Sequence, residues 1–129
     1  MPEKLKRVLI VDDNDVMRTL LRAILRSENQ FEVVGEARNG LAAVEMNERM
    51  KPDIVCLDVV MPEMDGLEAL RAIKQKRPET QVVMITGTPS AGNVQEAMSL
   101  GANGFIIKPF NAARIIDTLA ALPPLPAGY

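Results

Sequence analysis

Apolar positions along the chain follow two alternating rhythms. Five short runs, RVLIVD, FEVVGEA, DIVCLD, QVVMIT and GFIIK, are rich in β-branched residues and read as strands; each is followed by a stretch with helical spacing. The first such stretch is the clearest, because Val16, Met17, Leu20, Leu21, Ile24 and Leu25 recur as on one helix face, behind Asn14 as a plausible N-cap. Asn39 offers a cap to the second, with Leu41 and Val44 as its apolar edge. Ala69, Leu70 and Ile73 mark the third, whose KQKRP end puts cations in the last turn, where the helix dipole favours them. Val94, Ala97 and Met98 mark a fourth that stops at Gly101; Ile115, Ile116, Leu119 and Leu122 mark a fifth that a Pro-Pro pair ends. Strand and helix alternating five times predict an α/β domain with a doubly wound, five-stranded parallel sheet covered by helices on both faces. The unbroken apolar runs VLIV and IVCL belong at its centre, and the more polar FEVVGEA suits an edge.

Composition narrows this picture without changing it. A chain of 129 residues, 47% hydrophobic, has the size of one domain, expected over residues 1–122 with a Pro-rich tail at 123–129. A formal net charge of −2 gives no broad field for nucleic acid, and the KQKRP cations read as a solvated helix end. No histidine occurs, which removes imidazole catalysis, histidine metal sites and a phosphohistidine in this chain. The single cysteine, Cys56, lies in an apolar run and reads as a small core residue, consistent with a reducing compartment. The basic start followed by LIV meets two aspartates and no small-residue cleavage site, so it does not read as a signal peptide. Nothing approaches the ~20 apolar residues of a membrane helix. The expectation is a soluble cytoplasmic protein with neither nucleic-acid nor membrane partners.

The chemistry gathers at the ends of the strands. Asp12 and Asp13 follow the first, Asp58 the third, Thr86 the fourth and Lys108 the fifth. Ligands of open α/β sheets bind beyond the carboxyl ends of the strands, where the strand order reverses. In the order 2-1-3-4-5 that point lies between the first and third strands, so three carboxylates converge there. Two like charges at ~4 Å repel by about 4 kcal/mol at an effective dielectric of 20, and something positive has to offset them. Lys108 supplies one charge; an all-oxygen set without histidine or an available thiol suits Mg²⁺, and Mg²⁺ in turn suggests phosphate. Asp58 then reads as a nucleophile toward phosphorus, with Lys108 and the Thr86 hydroxyl on the phosphoryl oxygens. Each residue alone has an ordinary reading: aspartates cap helices, threonines end strands, and lysines lie on surfaces. Their coincidence at four strand ends favours the chemical one.

With LIVDDN, CLDVVMPEMDG, MITG and GANGFIIKPF in this order and spacing, the chain from about Lys6 to Leu122 resembles a response-regulator receiver domain of the single-domain chemotaxis-regulator type. The resemblance implies a flavodoxin-like (βα)5 fold and a phosphorylation-dependent switch in a two-component phosphorelay. It implies Asp58 as the phosphoacceptor, Mg²⁺ bound by Asp13, Asp58 and the backbone carbonyl of Val60, and Asp12 acting through water. Thr86 and Lys108 would contact the phosphoryl group, Thr86 and Phe105 would form the switch, and Pro109 matches the family's cis-proline turn. The implied partners are a histidine kinase or histidine phosphotransfer protein and a downstream protein on the face of the fourth helix, fifth strand and fifth helix. Oligomeric state is open between a monomer and a phosphorylation-dependent dimer. The only catalysis expected is of its own phosphorylation and dephosphorylation.

Val60 and Thr88 depart from positions where relatives often carry side chains that tune hydrolysis; neither brings an acid or amide to orient water. Two other functions fit parts of the pattern. One is a phosphorylation-independent binding module on the same fold. The other is an aspartyl-phosphate phosphatase of the haloacid-dehalogenase kind, which usually wants a second acid where Val60 stands.

Overall fold

The computed structural model describes residues 5–87 and 89–123, with only the backbone of Ala91. Strands β1 (Lys6–Val11), β2 (Phe31–Ala37), β3 (Ile54–Leu57), β4 (Gln81–Thr86) and β5 (Gly104–Ile107) alternate with helices α1 (Asp15–Arg26), α2 (Gly40–Met50), α3 (Gly66–Lys76), α4 (Ala91–Ser99) and α5 (Ala112–Ala120). Neighbouring strands all pair in parallel, in the order β2-β1-β3-β4-β5. The doubly wound sheet expected from the pattern is the one that forms, with β2 and β5 at its edges.

Period-two alternation divides the core between the two faces of the sheet. Leu9, Val11, Val55, Leu57 and Met84 join Ala43, Leu70, Ile73 and Ala97 on the side of α2, α3 and α4. Val8, Ile10, Ile54, Cys56 and Ile85 join Leu21, Leu25, Ile115 and Leu119 on the side of α1 and α5. Each fully buried Leu or Ile contributes about 1.5–3 kcal/mol, so the central strands have no freedom to slip register. Side-chain caps start the helices: Asn14, Asn39, Ser90 and Asn111 each accept a backbone N–H, and Asp65 with Glu68 forms a capping box on α3.

Some apolar positions face outward, contrary to the sequence reading. On α1, Val16 is 73% and Leu20 41% exposed, while Arg18, Leu21, Ile24 and Leu25 are buried. At about 100° per residue, Val16 and Leu20 lie nearly opposite Arg18, on a second apolar stripe. Leu41 and Met98 are likewise exposed, and α2 turns Gly40, Ala43 and Asn47 inward. The KQKRP end is only partly a solvated surface: the Lys74 ammonium donates to Pro78 O, Thr80 O and Asn103 Oδ1, joining the start of β4 to the α4–β5 turn. Of the expected tail, residues 124–129 lie outside the described residues. Among the described residues, no helix is long and apolar enough to cross a membrane.

Cys56 is buried on β3, and burial pushes its thiol from an ordinary 9.0 up to about 12. Above pH 9 the unfolded chain releases this proton while the folded chain keeps it, so stability falls as pH rises from 9 toward 12. The loss specific to Cys56 is at most about 4 kcal/mol. The expected result is that urea-unfolding stability of wild type declines more steeply over this range than that of Cys56→Ala. A disulfide reagent should leave the native thiol untouched at pH 8. Parallel pH profiles for the two proteins, or rapid native labelling, would contradict the buried thiol.

Candidate functional site

The strand ladders continue past the ends of β1 and β3 and set the acids in place. Asp12 N–H donates to Ala37 O at 3.1 Å, and Asp58 N–H donates to Val11 O at 3.0 Å. The carboxylates of Asp12, Asp13 and Asp58 therefore meet at one rim, with a ligand oxygen of each within 4.8 Å of the others. Asp12 and Asp58 are buried and Asp13 is exposed, which leaves one side of the group open.

Lys108 reaches this rim from the end of β5. Its Nζ lies 2.7 Å from Asp12 Oδ2 and 3.5 Å from Asp58 Oδ2. Its backbone N–H donates to Thr86 O at 2.8 Å, and the peptide between Lys108 and Pro109 is cis. Asp12 is further held by the Asn14 N–H, which donates to its Oδ1 at 2.9 Å. The Val59 N–H donates to Asp58 Oδ1 at 2.8 Å. Burial raises the Asp58 pKa above its ordinary value; Lys108 pulls it back down, Asp12 raises it, the Val59 amide lowers it and Asp13 raises it. A more basic carboxylate is, once ionised, a stronger nucleophile.

The other residues singled out from the sequence fall around this cluster. Thr86 is fully buried at the last position of β4, beside β3 in the sheet. Val60 is 59% exposed on the β3–α3 connection. Phe105 pairs with Met84 and packs, half-buried, against the core on the α4 side. Thr88 lies outside the described residues.

Two features of the site were not read from the sequence. Gly66 sits so close behind Asp58 that a Cβ there would stand 1.9 Å from the Asp58 carbonyl oxygen, while its own N–H donates to Val59 O at 2.7 Å. Arg18, at 9% exposure, donates from Nη1 to Asp12 O at 2.6 Å. The available signal was its place on the buried stripe of α1, three residues before Leu21 and seven before Leu25.

Three hard oxygen donors with no nitrogen or sulfur among them fit a small divalent cation such as Mg²⁺. Lys108 supplies one positive charge, so the three acids keep a net negative charge for such an ion to balance.

Comparisons with known proteins agree with this geometry. A family model described as the response regulator receiver domain matches residues 8–120. Chemotaxis protein CheY of Listeria monocytogenes is 49% identical over 113 residues, covering 88% of this chain and 94% of that protein. Chemotaxis protein CheY of Bacillus subtilis is 43% identical over 113 residues, covering 88% and 93%. The response regulator domain of Thermotoga maritima CheB superposes with a TM-score of 0.86 at 35% identity, over 92% of this chain and 96% of that one. The CheX-CheY-BeF3-Mg+2 complex from Borrelia burgdorferi gives a TM-score of 0.83 at 32% identity, over 89% and 87%. With the family match spanning nearly the whole fold and the acids at the rim where the sheet order reverses, the chain belongs to the response-regulator receiver domains of the chemotaxis type and is a two-component signalling protein.

Proposed function

We propose that Asp58 accepts a phosphoryl group and that the resulting acyl phosphate is the signal. The observation that carries this is the open acidic cluster with Lys108 bridging Asp12 and Asp58. In the transfer, an Asp58 oxygen forms the new bond to phosphorus, the donor's bond to phosphorus breaks, and the leaving group departs with the electron pair. Lys108 is already 3.5 Å from Asp58 and supplies positive charge to the phosphoryl oxygens, with the Thr86 hydroxyl as a further donor. Asp13, Asp58 and the Val60 carbonyl are the residues to hold Mg²⁺, with Asp12 acting through water. When bound, the ion neutralises negative charge shared by the acids and the phosphoryl group. The Borrelia CheY complex, which contains both BeF3 and Mg²⁺, supports this reading.

These 129 residues contain no histidine, so the donor histidine lies outside them, on a histidine kinase or histidine phosphotransfer protein. Thr86 and Phe105 are proposed to pass the change on to the face of α4, β5 and α5, where Phe105 and Ile107 adjoin Arg114 of α5 in a shallow cavity. The output is contact with another protein; the CheX of the Borrelia complex exemplifies such a partner. The test is incubation with acetyl phosphate and Mg²⁺, read by intact mass. One phosphoryl adduct that EDTA suppresses and Asp58→Asn lacks is expected. An adduct that survives either change would displace Asp58 or the metal from its role.

Val60 brings no acid or amide to the rim, so no side chain there orients an attacking water. The phosphoprotein should hydrolyse slowly, and Val60→Asn should shorten its lifetime by about tenfold, the worth of one added hydrogen bond in the transition state. Unchanged decay of the label in Val60→Asn would remove this explanation of the lifetime.

A further inference from the structure

Arg18 is a charged residue placed where the pattern of α1 calls for an apolar one. It shares the inward stripe with Leu21 and Leu25 and is buried. A buried guanidinium is costly unless its donors are paired. These are: Nη1 donates to Asp12 O at 2.6 Å, Nη2 bonds Asp15 Oδ1, and Nε lies 3.5 Å from Glu36 Oε1. Glu36 is in turn braced by Arg22 at 2.6 Å.

The bond to Asp12 O matters most for the carboxylate next along the chain. That carbonyl belongs to the peptide unit joining Asp12 to Asp13, and a planar peptide held at its oxygen is held at its nitrogen also. Asp12 and Asp58 have side-chain partners of their own, in Lys108, Asn14 and Val59. Among the described residues the Asp13 carboxylate has none. Its position at the rim depends on its backbone, which is tied before it by Arg18 at Asp12 O and after it by the Asn14 N–H at Asp12 Oδ1.

We infer that Arg18 is a positioning residue for the proposed metal site: by fixing the Asp12–Asp13 peptide it aims Asp13 and sets the affinity for Mg²⁺. The inference rests on the reading of the acidic cluster as a Mg²⁺ site. Groups that orient metal ligands from outside typically change affinity by about 10–100-fold when removed.

The experiment is an Mg²⁺ titration followed by backbone amide NMR shifts at the rim, with stability measured separately by urea unfolding. Wild type should saturate, and Arg18→Met should raise Kd about tenfold. Arg18→Lys keeps the charge but not the fork of donors, and should fall between the two. In an Asp13→Asn background the further effect of Arg18→Met should shrink to less than about twofold, because the carboxylate it aims is gone. A purely structural role would lower stability and leave the tenfold ratio intact in that background, which overturns the inference. So does a wild-type Kd in Arg18→Met. If Arg18→Met does not fold, Arg18→Lys carries the same comparison, and a wild-type Kd there is equally decisive against it. An absence of Mg²⁺-dependent shifts in wild type would instead remove the metal site itself, and the inference with it.

Discussion

Asp58→Asn is expected to give a folded protein that acetyl phosphate no longer labels and that unfolds at a higher temperature than wild type. The first half follows from nucleophilicity, since a carboxamide oxygen is too weakly basic to attack phosphorus. The second half follows from the cluster. Burial and the adjacent acids raise the Asp58 pKa above that of the unfolded chain, despite Lys108 and the Val59 amide. Ionised Asp58 therefore opposes folding at neutral pH: the unfolded chain gives up the proton first as pH rises, and native stability falls through that window. Asparagine removes the charge, keeps an oxygen for the Val59 N–H, and leaves Lys108 its closer partner, Asp12. The gain is read as a Tm above that of wild type at pH 7 in the absence of metal. As pH falls through that window to below the pKa of aspartate in the unfolded chain, the two proteins should converge. A variant less stable than wild type at pH 7 in the absence of metal would mean that Lys108 outweighs burial and the two neighbouring acids.

The residues at this rim were legible in the sequence from their positions alone. Asp12, Asp13, Asp58 and Lys108 each follow an apolar run, so the strand pattern that predicts the sheet also predicts where these residues meet. Helix faces were less legible. Two apolar stripes run along α1, and periodicity does not say which packs on the sheet; the pattern puts Val16 and Leu20 inward, and they lie outward. Pattern reading sorts residues by polarity, so it passed over Arg18 and also Asn47, whose amide is buried in α2 without a hydrogen-bond partner among the described residues. Tertiary context decides such positions, through acceptors such as Asp12 O that the helix sequence does not reveal. Glycines posed the same problem. Gly40 stands where a Cβ would meet Met64 O at 2.2 Å, an approach between segments far apart in the chain.

Gly66 is the sharper case, and Gly66→Ala should be among the most damaging single changes in the protein. The added methyl would lie 1.9 Å from Asp58 O, 2.8 Å from the Asp58 carbonyl carbon and 2.8 Å from Val59 Cα. All three are main-chain atoms, so no side-chain rotation relieves the clash. Either the first turn of α3 lifts from the sheet or the end of β3 moves. Lifting α3 breaks the 2.7 Å bond from Gly66 N–H to Val59 O and loosens Leu70 and Ile73 from the core. Moving β3 displaces Asp58 relative to Lys108. The expected destabilisation is about 3 kcal/mol or more, the scale of overpacking combined with a lost buried hydrogen bond. In the fraction that remains folded, labelling by acetyl phosphate should fall about a hundredfold, since a shift of ~1 Å in a reacting group costs that much. The two effects separate experimentally. Urea unfolding reads the first, and labelling at 5 °C, corrected for the folded fraction, reads the second. Wild-type labelling per folded molecule would show that α3 yields and the Asp58 backbone holds, placing the function of Gly66 in packing alone.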